Sequence, residues 1–195
     1  FVAIPLFILA GNLMAVGGIS KRITTFSEAL VGHWPGGLGM VAIVASMIFA
    51  AVTGSAIAAT PAIGALLISE MISKGYSRAY SASLVATAGS IGPIIPPSIP
   101  MVIYALVSGA SVGALFLGGV VPGFLMAFLM MGVVHIIATK RNMPREEKIP
   151  LSEWPSILFR GALPLSMPIV LLGGIYSGAF TPTEAAAVAA FHALI

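Results

Sequence analysis

Long apolar tracts separated by short charged connections set the frame of this chain. No Lys, Arg, Asp or Glu occurs between Glu28 and Glu70, between Arg78 and Lys140, or between Arg160 and Glu184. About 20 helical residues cross the roughly 30 Å of a bilayer's hydrocarbon, so each tract is long enough to span it. Residues 1–19 are apolar with internal Gly11, Gly17 and Gly18, and are predicted to be the end of a spanning helix. Residues 20–36 mix Lys21, Arg22 and Glu28 with Ile23, Phe26, Leu30 and Trp34, the pattern of an interfacial amphipathic segment with an aromatic anchor.

The tract 38–71 is too long for one crossing: as a straight helix it would run about 51 Å. Thr53-Gly54-Ser55 interrupts it, followed by Thr60-Pro61. Two arms of about 16 residues, each short of a full span, predict a re-entrant helical hairpin with its tip inside the membrane. Such a tip needs other protein or a polar cavity to satisfy its backbone. A second interrupted tract, 79–107, is broken by Gly89-Ser90-Ile91-Gly92-Pro93-Ile94-Ile95-Pro96-Pro97-Ser98-Ile99-Pro100. Prolines at 93, 96, 97 and 100 remove amide donors and clash with the preceding turn. With Ala79–Ala88 and Met101–Val107 apolar, the prediction is a discontinuous transmembrane helix. Residues 37–110 thus form one unit of hairpin and broken helix. Gly109, Ser111 and Gly113 mark a turn at the start of 111–139, which holds a complete span, and 140–153 is the long polar loop. Residues 154–195 give a last span, 154–176, kinked by Pro164 and Pro168, and then a new helix opened by Thr181-Pro182-Thr183-Glu184.

Composition sharpens this into an all-α integral membrane protein. Apolar residues make up 58% and charged residues 8%, against about 25% charge in soluble domains. So few charges would leave a soluble surface mostly apolar. The net charge of +3 and pI of 9.5 come from Lys21, Arg22, Lys74, Arg78, Lys140, Arg141, Arg145 and Lys148, nearly all in connections. That is a positive-inside distribution, which puts 140–153 in the cytoplasm, and not a basic stripe for nucleic acid. If 38–71 returns to its starting side, the basic connections 21–28, 74–78 and 140–148 share one side; a single crossing would divide them, whereas a deeper hairpin crossing twice gives the same parity. With no cysteine, disulfides and thiolate metal sites are excluded. Phe1 lies within an apolar run, Phe191 to Ile195 stop in mid-pattern, and no signal-peptide layout is present, so an internal piece of a longer membrane protein is expected.

Secondary transporters bind ions and substrate at discontinuous helices near the bilayer midplane. The breaks at 53–55 and 90–98 carry Thr53, Ser55, Ser90 and Ser98 as neutral oxygens, and glycines that let carbonyls approach an ion. Neither break holds a carboxylate, which favours Na⁺ over a proton carried on Asp or Glu. Kinking and packing alone would explain a single break; two in adjacent segments favour a site. An intramembrane enzyme finds no Asp, no HExxH pattern and no histidine beside a serine nucleophile.

Phe7-Ile8-Leu9-Ala10-Gly11-Asn12, the Gly36–Gly39 run into Ala45-Ser46-Met47, Thr53-Gly54-Ser55-Ala56 and Gly92-Pro93-Ile94-Ile95-Pro96-Pro97-Ser98 form one set of motifs. Leu115-Phe116, Pro122-Gly123 and Phe180-Thr181-Pro182-Thr183-Glu184-Ala185-Ala186 extend it. In order and over almost the whole chain they resemble the large membrane subunit of tripartite ATP-independent periplasmic (TRAP) transporters, of the dicarboxylate and sialic-acid type. The resemblance implies a multi-pass subunit of the bacterial inner membrane in a sodium-coupled, elevator-type carrier of two inverted repeats, of which this chain holds one. It implies organic acids delivered by a periplasmic substrate-binding protein, a small membrane subunit as partner, and Na⁺ as coupling ion with no other cofactor. It also implies that Thr53, Gly54, Ser55, Ser90, Gly92 and Ser98 contribute to a sodium site, and Ser55, Pro96, Pro97 and Ser98 to one wall of the substrate site. Another sodium-coupled anion carrier, a channel or a non-transporting scaffold are the alternatives.

Structural readings suit the remaining polar residues. Thr181-x-x-Glu184 with Pro182 reads as a capping box. His33, His135 and His192 read as structural, Gly119 and Gly123 permit close helix approach, and Glu70 is expected to pair on the surface with its neighbouring basic connection.

Overall fold

The computed structural model describes residues 2–193, those at 14–16 by their backbone alone. The outermost residues of the first and last predicted segments, 1 and 194–195, lie outside the described residues. Among the described residues the regular elements are all helical: α1 (Ala3–Val16), α2 (Ile19–Val31), α3 (Gly37–Thr53), α4 (Ala56–Ser73), α5 (Arg78–Gly89), α6 (Ile99–Ser108), α7 (Val112–Lys140), α8 (Trp154–Tyr176) and α9 (Pro182–His192). The helices α4, α7 and α8 are long and apolar enough to cross a membrane. On α7 and α8, large apolar side chains such as Val121, Phe128, Phe159 and Ile169 face outward, as a helix in hydrocarbon requires.

Helix α3 is the centre of the molecule. It is apolar on every side, and almost all of its residues are buried against α2, α4, α5, α7, α8 and α1. A helix without a polar face belongs in the interior, and its Gly39, Ala42, Ala45 and Ala50 let neighbours come close. Helix α2 is amphipathic, as the sequence predicts: Ile19, Ile23 and Val31 are buried while Lys21 and Arg22 stay exposed. Its buried hydroxyls are satisfied within the helix, Thr24 donating to the Ser20 carbonyl (2.9 Å) and Ser27 to that of Ile23 (2.8 Å).

The basic connections gather at one end. Lys21 and Arg22 share a cavity with Ile149 and Glu153, while Glu28, Lys74 and Arg145 share the next. At that end α3 and α4 begin and finish together. The Glu146 amide donates to the Gly32 carbonyl just ahead of α3 (3.1 Å), and its carboxylate pairs with Lys74 at the end of α4 (2.9 Å). Glu70 is therefore not the partner of this connection, contrary to the sequence expectation. The polar loop after α7 carries Glu146 across to Lys74, a contact that neighbours in sequence do not reveal.

Boundaries match the predicted breaks closely. Gly109 ends α6 in the left-handed region (φ +73°), and the Ser111 hydroxyl accepts the Ala114 amide to start α7. The capping box is present: the Thr181 hydroxyl accepts the Glu184 amide (3.3 Å) and the Glu184 carboxylate accepts the Thr181 amide (2.8 Å). Helix α9 then packs along α1, and His192 ties it to α8 through Ser166 (3.2 Å) and the Leu163 carbonyl (3.0 Å).

Candidate functional site

The two breaks meet. The Gly54 amide closes α3 on the Ala50 carbonyl (2.7 Å), the chain turns with Gly54 at φ +65°, and Ser55 is extended before α4 begins. Positive φ favours glycine, and space demands it as well. A Cβ on Gly54 would stand 2.7 Å from the Pro97 carbonyl oxygen and 3.3 Å from the Ile99 nitrogen. This close approach allows the Ile99 amide to donate to the Gly54 carbonyl (3.1 Å), joining the tip between α3 and α4 to the first turn of α6.

On the other side of the contact, α5 ends at Gly89 and a run of turns leads to Ser98. The Ser98 hydroxyl accepts the Met101 amide (3.3 Å) and donates to the Pro93 carbonyl (2.7 Å), so it caps α6 and ties down the break together. It is buried, as are Pro96 and Pro97. Gly92 lies under the start of α4, where a Cβ would meet the Ala56 nitrogen at 2.9 Å. Gly119 and Gly123 of α7 give room to Ile94 and Ile95, so the close approach expected there serves the broken segment itself.

A cavity of about 490 Å³ opens at this junction. Thr53, Gly54, Ser55 and the first turn of α4 (Ala56, Ile57, Ala58) form one wall, with Pro93, Ile99 and Pro100 facing them. Ile8 and Asn12 of α1 complete it. Ser55 is the N-cap of α4, but its side chain accepts no amide from the first turn. Uncapped first-turn amides are orphan donors at the positive end of a helix dipole, an arrangement that holds carboxylate and phosphate oxygens. The Thr53 hydroxyl is buried and donates to the Phe49 carbonyl (3.1 Å).

Of the residues predicted for sodium and substrate, Thr53, Gly54 and Ser55 line the cavity. Ser98, Pro96, Pro97 and Gly92 stand behind the wall and fix its shape. Ser90 is apart from them: it is exposed, and its hydroxyl donates to the Thr87 carbonyl (2.6 Å). Asn12 was missed by sequence reasoning. The signal was available, since Asn12 is the single polar side chain from Phe1 to Ile19. Gly11 brings it in: its α-carbon packs so tightly that a Cβ would stand 3.2 Å from that of Thr53.

Residues 1–195 match the family model described as the tripartite ATP-independent periplasmic transporter, DctM component. The chain is 45% identical over 191 residues to the C4-dicarboxylate TRAP transporter large permease protein DctM of Pseudomonas aeruginosa, covering 98% of this chain and 45% of that protein. It is 47% identical over 194 residues to the 2,3-diketo-L-gulonate TRAP transporter large permease protein YiaN of Escherichia coli K12 (99% and 45%). With the sialic acid TRAP transporter large permease protein SiaM of Vibrio cholerae, identity is 43% over 193 residues (99% and 45%). The chain thus spans just under half the length of each of these three relatives.

Proposed function

The chain belongs to the DctM-component family of tripartite ATP-independent periplasmic transporters, and from that premise we propose that it is part of the membrane subunit of a sodium-coupled importer of organic acids. The observation that carries the reading is the uncapped first turn of α4, open to the cavity where the two helix breaks meet. Its amides supply donors for a carboxylate without a fixed positive side chain, so the anion is held weakly enough to be released. The relatives named above carry C4-dicarboxylates, 2,3-diketo-L-gulonate and sialic acid, all carboxylates, and this chain takes a substrate of the same class.

The same place supports sodium coupling. Among the described residues that line the junction, the oxygens are those of carbonyls, hydroxyls and the Asn12 amide, and a cation held by them beside the anion would make each ion's binding favour the other's. Transport also requires the junction to lie at depth. Helices α5 and α6 have 12 and 10 residues, about 18 and 15 Å at 1.5 Å per residue, so neither crosses alone, which supports a junction within the membrane. The tip after α3 is bonded to that junction, while Glu146 holds the outer ends of α3 and α4 together. A re-entrant hairpin in an elevator-type carrier accounts for both contacts. In the whole protein a second repeat would close the site, a small membrane subunit would steady it, and a periplasmic binding protein would deliver substrate to the bacterial inner membrane.

The test is uptake into proteoliposomes holding the full-length permease and small subunit, fed by the binding protein loaded with radiolabelled C4-dicarboxylate, diketogulonate or sialic acid. Saturable uptake of one acid, lost when choline replaces Na⁺, is expected. Ohmic conductance, or uptake indifferent to Na⁺, would overturn the proposal.

A further inference from the structure

The end of the molecule that gathers the basic connections holds a second cavity, about 740 Å³, between the starts of α2 and α8. Lys21 and Arg22 reach it from α2, Arg160 from α8, and Glu153 from just ahead of α8. Three cationic side chains therefore face one carboxylate. All four are exposed, and among the described residues none of the three cations lies within 4.0 Å of a carboxylate. The hydroxyls of Thr25 and Ser156 line the same space and make no hydrogen bond within the described residues.

Arg160 is the informative member. It sits at the seventh position of a helix long and apolar enough to cross the membrane, immediately after Phe159, which is 85% exposed. An unpaired cation at the edge of hydrocarbon is costly unless a counter-charge or the headgroup layer meets it. Lys21 and Arg22 stand on an amphipathic helix whose buried face packs on α3 and α8, so they are held at the same level. A ligand for this place must be anionic, must offer oxygens to Thr25 and Ser156, and must tolerate the apolar side chains of Ile149 and Ile157 in its wall. A soluble phosphate satisfies the first two conditions; a phospholipid satisfies all three.

We propose that this cavity binds the headgroup of an anionic glycerophospholipid, with Lys21, Arg22 and Arg160 on the phosphate, Thr25 and Ser156 on the glycerol oxygens, and the acyl chains leaving past Ile149 and Ile157. Glu153 limits the site to headgroups of small negative charge, since it offsets part of the surplus. Basic pockets between helices on the positively charged side of a membrane protein hold such headgroups by the same physics.

Native mass spectrometry of the full-length permease, purified with its small subunit in mild detergent, tests this without involving transport. The probes are dioleoyl phosphatidylglycerol, dioleoyl phosphatidylcholine and inorganic phosphate at equal concentration. Retention of phosphatidylglycerol over phosphatidylcholine is expected, with the preference falling about fivefold per cation removed in K21Q, K21Q/R22Q and K21Q/R22Q/R160Q. Glu153→Gln should increase phosphatidylglycerol retention. Equal retention of the two lipids by the native protein, or an unchanged preference in K21Q/R22Q, would overturn the proposal. Displacement of the lipid by inorganic phosphate that is itself retained would also overturn it. K21Q/R22Q alters only exposed side chains of α2, so the test stands even where R160Q prevents folding.

Discussion

Replacing Gly54 by Ala separates two costs that the structure keeps distinct. Any non-glycine residue in the left-handed region costs about 1–2 kcal/mol. Gly109 provides the reference: its φ is +73°, close to the +65° of Gly54, yet a Cβ there has nothing within 4 Å. Gly109→Ala should therefore lose only that 1–2 kcal/mol. At Gly54 the added Cβ also lands 2.7 Å from the Pro97 carbonyl oxygen, a backbone atom that no rotamer change can remove. Relief requires the tip to withdraw from α6, which breaks the 3.1 Å bond from the Ile99 amide to the Gly54 carbonyl. Leaving such a donor unsatisfied adds about 1–3 kcal/mol, for a total of about 2–5 kcal/mol in Gly54→Ala. Thermal unfolding of both variants and the parent full-length protein, in one detergent, reads the difference. Sodium titration of uptake then shows whether the seat matters to function: the half-saturating Na⁺ concentration should rise in Gly54→Ala and stay put in Gly109→Ala. Equal melting shifts, or a Gly54→Ala carrier with unaltered sodium activation, would refute the reasoning.

Ser55→Ala and Ser98→Ala should both weaken sodium dependence but differ in stability. The Ser55 side chain caps nothing, so its loss should leave stability within about 0.5 kcal/mol, whereas Ser98 loses a cap and strands the Pro93 carbonyl at about 1–3 kcal/mol. Melting curves showing the reverse order would contradict the roles assigned to them. Burial, with Glu70 and Glu146 adding to it and Lys74 opposing, pushes the Glu28 carboxyl up from 4.5 to about 7. The folded protein thus holds this proton more firmly than the unfolded chain, so the contribution is fully present below 4.5 and is lost as pH rises through about 7. The melting temperature should fall between pH 5 and 8, and Glu28→Gln should flatten that slope; an unchanged slope counts against it. Thr181→Ala removes the capping box and should cost α9 about 0.5–2 kcal/mol, seen as faster amide hydrogen exchange over 183–186, and an unaltered exchange rate would deny the box any weight.

The breaks were legible because glycine and proline act locally. Gly54 closes a helix through its own φ, and the prolines at 93, 96 and 97 fall in the non-helical run between α5 and α6, with Pro100 tolerated in the first turn of α6. The capping box was legible for the same reason, since Thr181 and Glu184 satisfy each other within one turn. Contacts between distant parts were not. Asn12 stands out in the apolar run of α1, but the packing of Gly11 on Thr53 that brings it to the cavity is not written there. The occupation of the Ser98 hydroxyl by Pro93 and Met101 was equally hidden: a serine in a Gly-Pro-rich break reads as a free oxygen until its neighbours are placed. Glu70 illustrates the converse error, in which closeness in sequence stood for closeness in space, while the loop after α7 supplied the partner of Lys74.

The clasp at Glu146 also imposes an order on synthesis. Lys74 and Glu146 are 72 residues apart in the chain. At translation rates of 5–20 residues per second, about 4–14 s pass between their appearances. Through that interval the outer ends of α3 and α4 lack the residue that joins them, and α7, whose glycines receive Ile94 and Ile95, is still being made. Helices α3 to α6 are thus made first and clasped afterwards, by a residue the ribosome has yet to add.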